Sequence, residues 1–344
     1  MQRYTITEEL DQPLWDDFVR SAPGATCYHL FAWKRIVEDS FGHRTHYLAA
    51  LDGTGLVRGV LPLVHMKSVL FGNFLVSVPF VNYGGLLGES QGGRQALVRA
   101  ADALRISLGA RHVELRHLGR GVEGLPSREH KVTMILSLQE NPEAQWTAFN
   151  AKLRNQVRKA EKSGLTCRSG GAELLDGFYD VFARNMRDLG TPVYARVFFR
   201  NVIGALPDTT RILAVSHEGR TIAAGIVSRF RDCMEMPWAS SVADYKSLCP
   251  NNLLYWEAIR IAIGQGCTGF DFGRSTPNEG TFNFKKQWGA EPVQLYWQYL
   301  LKEGTSLPEL NPKNPKFEAA IKIWKRLPVG LTKLVGPGIV RNIP

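Results

Sequence analysis

The 344-residue sequence has few cysteines, and no two of them form a CxxC pair. Its five cysteines are odd in number and widely spaced, which argues against both a disulfide framework and a structural zinc site. The first ten residues carry no apolar segment, so neither a secretory signal nor a transit peptide is visible. We therefore expect reduced cysteines and a cytoplasmic location, with peripheral contact to a membrane as a further candidate.

Long hydrophobic runs and several catalytic motifs are also missing. The apolar region 56–87 is interrupted by charged and polar residues, and no uninterrupted window reaches the roughly 20 residues of a membrane-spanning helix. There is no P-loop, nucleophile elbow or dinucleotide-binding glycine motif, which disfavours NTPases, hydrolases and dehydrogenases. His43 and His46 form a lone HxxH without a nearby carboxylate or cysteine cluster, so we expect no metal site.

Acidic residues are outnumbered by basic ones, 32 against 42, and the formal net charge is +10. This excess favours an anionic partner such as a phosphate, a nucleic acid or an acidic membrane surface. Part of it lies in residues 142–163, which we predict to form one helix. Arg154, Arg158 and Lys162 step by four and share a face of that helix, where they either grip a pyrophosphate or form an ordinary solvated surface.

The order of predicted elements repeats along the chain, which indicates a duplicated domain. In each half, a strand precedes two helices, a strand hairpin, a further strand, a central helix and two last strands. We expect an α/β fold with mixed sheets and domains at residues 1–140 and 141–304. A basic amphipathic tail at residues 305–344 follows, which either docks on the second domain, the interpretation we favour, or lies on an anionic bilayer.

A proline interrupts a predicted strand at matched places in the two halves. Pro79 lies in the strand predicted at 74–82, and Pro237 lies in that predicted at 234–240. Because proline lacks the N–H that a ladder needs, each strand must be bulged or unpaired there. Either these are edge strands, or the sheet opens into a cleft on which an amide-bearing ligand can lie, which we favour.

The helix that follows the second of these strands begins near two asparagines. Asn251 or Asn252 suits its N-cap, and the free N–H groups of a helix N-terminus attract anions. We therefore predict that these two residues mark the site of an anionic donor, although most capped helices bind nothing.

Residues 270–290, FDFGRSTPNEGTFNFKKQWGA, are the densest run of special residues. Acyl transfer to an amine requires groups that orient the amine, stabilise the developing oxyanion and accept one proton. A lysine of this run can hold the acyl carbonyl oxygen, and Asp271 or Glu235 can accept the proton. An ion pair between Asp271 and Arg274 is the alternative, purely structural interpretation.

This run is accompanied by NMRDLGTPVY (185–194), MPWASS (236–241), PNNLLYW (250–256) and PFVNYGG (79–85). Together they resemble the FemAB-type proteins that are associated with PEP-CTERM and exopolysaccharide gene clusters. The resemblance covers about residues 4–300. It implies tandem GNAT-like domains, and therefore agrees with the repeat.

The resemblance also implies an activity and a set of site residues. Fem transferases move an aminoacyl group from a charged tRNA to an amine of a nucleotide-linked or lipid-linked cell-wall precursor. Phe284 and Lys285 stand where these enzymes have a Phe-Lys pair whose lysine meets the acyl carbonyl. Arg154 or Arg158 corresponds to a basic residue that contacts substrate phosphates. The remaining candidate substrate-binding residues are Tyr83, Tyr194, Trp238 and Arg274.

We thus expect a Fem-type acyl- or aminoacyltransferase that acts on an amine of a phosphate-linked exopolysaccharide or peptidoglycan precursor. No tightly bound cofactor is expected; the co-substrate is aminoacyl-tRNA or acyl-CoA, and DNA is not an expected partner. The coiled-coil arm of some Fem proteins is missing, which favours acyl-CoA, whereas the RxxGxG match at 116–121 follows the wrong strand for a pyrophosphate loop. The alternative from another class is a non-catalytic module that binds an anionic polymer or a membrane.

Overall fold

The computed structural model describes residues 3–69, 71–119, 121–308 and 315–344, without the side chains of 315–317. The described chain divides into two compact units. The first unit holds residues 3–132, 293–308 and 341–344, and the second holds residues 133–292 and 315–340. These limits differ from the domains expected at 1–140 and 141–304, because residues 133–140 belong to the second unit and residues 293–304 to the first. The limits of the repeated domains themselves stay a prediction.

The strands of both units are short to medium in length, and many of their residues are β-branched or apolar, as is typical of buried strands. In chain order they are β1 (Thr5–Thr7), β2 (Arg44–Leu51), β3 (Val57–Ser68), β4 (Gly72–Val76), β5 (Leu87–Gly88), β6 (His112–Leu118), β7 (Ser127–Arg128), β8 (Val132–Ser137), β9 (Thr166–Gly170), β10 (Thr210–His217), β11 (Arg220–Phe230), β12 (Cys233–Ser241), β13 (Gly269–Ser275) and β14 (Glu291–Leu301).

The helices pack apolar stripes onto these strands. In chain order they are α1 (Gln12–Ser21), α2 (Ala32–Phe41), α3 (Gln91–Ser107), α4 (Pro142–Ala148), α5 (Ala151–Lys162), α6 (Leu175–Leu189), α7 (Arg196–Ala205), α8 (Pro250–Gly264), α9 (Gly280–Lys286), α10 (Pro315–Trp324) and α11 (Val329–Val340).

The two sheets have the same strand order. In the first unit the order is β1-β2-β3-β4-β6-β14, and in the second it is β9-β10-β11-β12-β13-β8. The first four strands of each are antiparallel neighbours, whereas β4 with β6 and β12 with β13 are parallel pairs. The predicted α/β fold with a duplicated mixed sheet is therefore confirmed, except that β8 and β14 each join the sheet of the opposite half.

The two prolines proved to lie in different surroundings. Pro237 lies within β12, where the register with β11 shifts, as expected for a residue that cannot donate to the ladder. Pro79 lies outside any strand, because β4 ends at Val76 and both Val78 and Phe80 adopt positive φ. The strand expected at 74–82 was thus wrong beyond Val76, since a left-handed backbone cannot continue a ladder.

The helix expected at 142–163 is broken into α4 and α5. Phe149 is extended, and Asn150 caps α5 by accepting a hydrogen bond from the N–H of Leu153 at 2.9 Å. An asparagine that competes for backbone N–H groups favours a cap over a helix interior, which explains the break.

The described part of the tail docks on its unit, as favoured from the sequence. Arg187 donates to the carbonyl of Leu327 at 2.9 Å, and Lys333 pairs with Asp180 on α6. Lys313 of the tail lies outside the described residues. No helix in the described ranges is both long and apolar enough to cross a membrane.

Candidate active site

Lys285 lies on the inner face of the short helix α9, three residues after the buried Phe282. Its side chain is 7% exposed, whereas the neighbouring Lys286 is exposed. The ammonium donates to the carbonyl oxygens of Gly273 at 2.8 Å and Arg274 at 3.0 Å. An ammonium has three N–H groups, so one remains for a further acceptor. The expectation that one lysine of this run points inward is confirmed.

Asp271 holds the same turn from the other side. Its carboxylate accepts hydrogen bonds from the Gly273 N–H at 2.7 Å and from the Thr133 hydroxyl on β8 at 2.5 Å. Gly273 has a φ of +76°, a conformation that glycine adopts without the cost a Cβ would add. The turn at the end of β13 therefore depends on a glycine fixed by two buried ionisable groups.

Burial and charge have opposite effects on the pKa of Lys285. Desolvation is the largest cause and lowers the pKa to about 8, and the positive charge of Arg274 acts in the same direction. The negative charges of Asp271 and Glu235 raise the pKa and partly offset the burial. Near neutral pH the Lys285 side chain is therefore still mainly protonated, although its pKa lies only slightly above that range.

Glu235 lies on β12 directly opposite Asp271 on β13. Both side chains are buried, at 5% and 2% exposure. The parallel register runs from Cys233 to Glu235 and ends there, although both strands continue. The sheet therefore opens just beyond the two carboxylates, as the sequence predicted for Pro237.

An aromatic group packs around α9 in the second unit. Phe284, next to Lys285, is half-buried, and its ring centroid lies 5.4 Å from that of Tyr255 and 6.3 Å from that of Trp288. Phe270 and Phe272 share one face of β13 and also meet Tyr255. These ring contacts hold α9 against the elements that carry Tyr255 and Trp288.

Arg154 and Arg158, which the sequence predicts to bind phosphate, both lie on α5. Leu153, Val157 and Ala160 bury one side of this helix. Arg154 is half-buried and its Nε has no hydrogen-bond partner among the described residues. Arg158 is exposed, and its guanidinium lies 5.4 Å from the ring centroid of Trp146. Their contact with a phosphate stays a prediction.

The start of α8 differs from the sequence expectation. The N-cap is Cys249 in a left-handed conformation, and Pro250 occupies the first turn, where a missing N–H costs nothing. Asn252 is instead buried and donates from its side-chain amide to Gln156 of α5 at 3.2 Å. Asn251 Oδ1 is buried without a partner among the described residues. The N-cap assignment was wrong, and the donor-anion role of both asparagines stays a prediction.

The other predicted substrate-binding residues are dispersed. Trp238 is buried with its ring at 5.5 Å from that of Phe198, and Tyr194 lies 5.3 Å from the same ring. Arg274 is exposed beside the Lys285 turn. These three belong to the second unit, and their contact with substrate stays a prediction.

Tyr83 belongs to the first unit. It is 3% exposed and lines a cavity of about 510 Å³ together with His29, Arg94 and His117. His117 accepts from the N–H of Leu86 at 3.1 Å, and burial lowers its pKa to about 3, so the ring stays neutral.

Sequence reasoning did not assign a role to two further polar groups of the second unit. Thr133 is separated from Asp271 by more than a hundred residues, so no local pattern could reveal their hydrogen bond. Ser275 ends β13 with its hydroxyl buried and without a partner among the described residues, and its place in the densest motif was the available signal. No group of three or more His, Cys, Asp or Glu side chains in the described ranges forms a metal-binding cluster.

Part of the chain matches the model of a known family. Residues 148–286, which include α5, α8, β13 and Lys285, match the model of the acetyltransferase (GNAT) domain. This stretch of the chain is thus similar to a GNAT acetyltransferase domain. The predicted superfamily and the predicted class of enzyme, an acyltransferase, are thereby confirmed. No curated protein matches the chain.

Several solved structures share the fold at low sequence identity. FemX is 15% identical with a TM-score of 0.65, and the match covers 86% of this chain and 97% of FemX. L-PGS from Bacillus licheniformis is 14% identical with a TM-score of 0.57, covering 93% and 99%. A tandem GNAT protein from the clavulanic acid biosynthesis pathway is 11% identical with a TM-score of 0.55, covering 90% and 100%. The chain thus shares its fold with FemX and with a tandem GNAT protein.

Proposed function

We propose that this acyltransferase moves an acyl or aminoacyl group to an amine of a phosphate-linked precursor of the cell envelope. The observation that carries the proposal is the buried Lys285 ammonium, which uses two backbone carbonyls as acceptors and retains one N–H. The fold shared with FemX and L-PGS supports aminoacyl transfer as the coarse chemistry.

In this proposal the remaining N–H of Lys285 binds the carbonyl oxygen of the acyl donor. The acceptor amine attacks the carbonyl carbon, a C–N bond forms, and negative charge develops on the oxygen. A preorganised cation in a site shielded from water stabilises that charge, which typically accounts for two to three orders of magnitude in rate. The carbonyl then re-forms and the bond to the leaving oxygen or sulfur breaks. The leaving group takes up the proton that the amine gives up and departs as the tRNA hydroxyl or the coenzyme A thiol.

The attacking nitrogen must lose one proton. We assign the proton acceptor to Glu235, acting directly or through a water molecule, because it lies where the pairing of β12 with β13 ends, whereas Asp271 fixes the backbone of Gly273. Asp271 is then a positioning residue that fixes the turn and supports the charge of Lys285. Phe284 shields the ammonium, and Arg154 and Arg158 bind the phosphates of the acceptor as charge-assisted hydrogen-bond donors.

Two candidates remain for the acyl donor. An acyl-CoA donor is supported by the start of α8, where the first-turn N–H groups and the buried Asn251 oxygen lie. Aminoacyl-tRNA is supported by the Fem-like fold. The experiment is a thermal-shift titration of the full chain with acetyl-CoA and, separately, with charged tRNA.

Stabilisation by only one donor assigns the co-substrate, because a ligand that binds only the native state raises the melting temperature with its concentration. The assay for transfer then uses that donor with hydroxylamine as a surrogate amine, and measures the acyl hydroxamate formed. Absence of both stabilisation and hydroxamate formation would contradict the proposed function.

A further inference from the structure

Large apolar side chains are exposed at one place in the second unit. Within its described residues, every large hydrophobic side chain that is exposed lies on α10, on α11 or at the end of α6: Leu189, Ile323, Leu331, Leu334 and Val335. Leu334 is 79% exposed and Ile323 is 64% exposed. Isolated exposed leucines are ordinary, whereas such a concentration marks an interaction surface.

Three of these residues form a stripe on α11, which we call the α11 stripe: Leu331, Leu334 and Val335. They are spaced at i, i+3 and i+4 and therefore share one face of the helix. Gly330 and Gly338, four residues before and after Leu334, are exposed as well. The α11 stripe is therefore a continuous apolar helix face without a charged side chain.

The exposure does not arise from a loosely attached helix. The opposite face of α11 is packed, with Thr332, Gly336 and Val340 buried. A Cβ at Gly336 would lie 3.0 Å from the backbone nitrogen of Val193, so the two backbones are in close contact. Lys333 pairs with Asp180 and fixes the rotation of the helix. The α11 stripe therefore faces away from the unit in a fixed orientation.

Cations precede the α11 stripe along the chain. Lys322, Lys325 and Arg326 are exposed at the end of α10 and in the short connection to α11. The tail contains seven basic residues from Lys313 to Arg341 but Glu318 as its single acid after residue 310. Exposed leucine and valine side chains beside lysine and arginine are typical of segments that lie in a membrane interface.

We propose that the α11 stripe, with Lys322, Lys325 and Arg326, binds the surface of an anionic phospholipid bilayer. The apolar side chains enter the boundary between headgroups and acyl chains, and the cations contact the negative headgroups. In this proposal the segment lies along the bilayer surface, as amphipathic segments with these two kinds of side chain do. The proposal concerns location and stands independently of the transfer reaction.

The experiment is co-sedimentation of the full chain with vesicles. One set consists of phosphatidylcholine, and the other is an equal mixture of phosphatidylcholine and phosphatidylglycerol. We expect binding to the mixed vesicles only, and release as salt is raised, because salt screens the headgroup charge. The variant Leu334→Asp is expected to weaken binding about tenfold. It removes a leucine that would enter the bilayer and adds a negative charge that the anionic headgroups repel.

Two further variants test whether the position of the apolar side chain and the charge of the cations each contribute to binding. Ile106→Asp alters a side chain that is 64% exposed on α3 of the first unit and should bind as the parent does. Lys325→Glu with Arg326→Glu should abolish the preference for phosphatidylglycerol. Thermal unfolding of every variant verifies that it is folded.

Four results would overturn the proposal: no binding to the mixed vesicles, equal binding to both sets, full binding by Leu334→Asp, or full binding by the charge-reversal variant. Self-association that is lost in Leu334→Asp, without vesicle binding, would assign the α11 stripe to a second copy of the chain instead.

Discussion

Lys285 and Asp271 are joined through a single residue, Gly273. The N–H of Gly273 donates to Asp271 Oδ1 at 2.7 Å, and its carbonyl oxygen accepts from Lys285 Nζ at 2.8 Å. A buried cation and a buried anion thus fix the two polar groups of one residue whose φ is +76°. The account of acyl transfer depends on this arrangement, because it sets both the direction and the charge of the ammonium.

Replacing the ammonium tests its role in catalysis. Lys285→Met retains most of the apolar stem and removes the charge, so kcat for hydroxamate formation should fall roughly 100- to 1,000-fold. Lys286→Met, the exposed neighbour on α9, is the matched control and should keep its activity. Full activity of Lys285→Met would exclude Lys285 as the group that binds the acyl oxygen. If the parent chain formed no hydroxamate while Arg154→Gln with Arg158→Gln lost ligand binding, the chain would be a binding module.

A second prediction concerns the turn itself. Gly273→Ala places a Cβ on a left-handed residue and should destabilise the protein by about 1–2 kcal/mol. It should also lower kcat, because the hydrogen bonds of Lys285 and Asp271 both depend on that backbone. Gly280→Ala is the control, since its Cβ would meet no atom within 4 Å and its φ is not left-handed. Chemical denaturation and the hydroxamate assay measure the two effects.

The third prediction separates phosphate binding from chemistry. Arg154→Gln and Arg158→Gln should each raise the Kd of UDP-N-acetylglucosamine, a simple pyrophosphate-linked sugar, roughly tenfold. Neither should change kcat with hydroxylamine, which carries no phosphate. Lys152→Gln removes an exposed cation of the same helix that lies off this face. Equal weakening by all three substitutions would indicate a nonspecific charge effect.

The fourth prediction uses the charge of Asp271. Its carboxylate raises the pKa of Lys285, so Asp271→Asn should move that pKa below about 8. The upper limb of the pH profile of kcat should therefore shift to lower pH. Thr133→Val disturbs the same carboxylate without removing its charge and should leave the limb nearly in place. A role of Asp271 that is only structural would lower the rate without moving the limb.

The repeat and most elements were predictable because they depend on local periodicity. The hairpin of β2 with β3 and that of β10 with β11, for example, follow from alternating apolar residues and turn residues. The exchange of β8 and β14 between the sheets was not predictable, since the same strand pattern satisfies either sheet. The break at Phe149 was missed because apolar periodicity continues through it, while Asn150 supplies the cap.

The site was predictable in part. Residues 270–290 contain both Lys285 and Asp271, and strand alternation placed Asp271 opposite the phenylalanines. The sequence could not choose between Lys285 and Lys286 from spacing alone, because the difference lies in which one is buried by α9 packing on β13. Thr133 and Gln156 act through tertiary contacts with distant residues, which no local pattern encodes.

The most direct test of the central claim is the pH dependence of kcat for the full chain in the hydroxamate assay. If Lys285 acts as an ammonium, the active form is protonated, and the pKa of about 8 makes kcat fall as pH rises through that value. The fall should approach tenfold per pH unit and be absent in Lys285→Met. A kcat that rises through pH 8 would contradict the account, because it would require the neutral amine as a base.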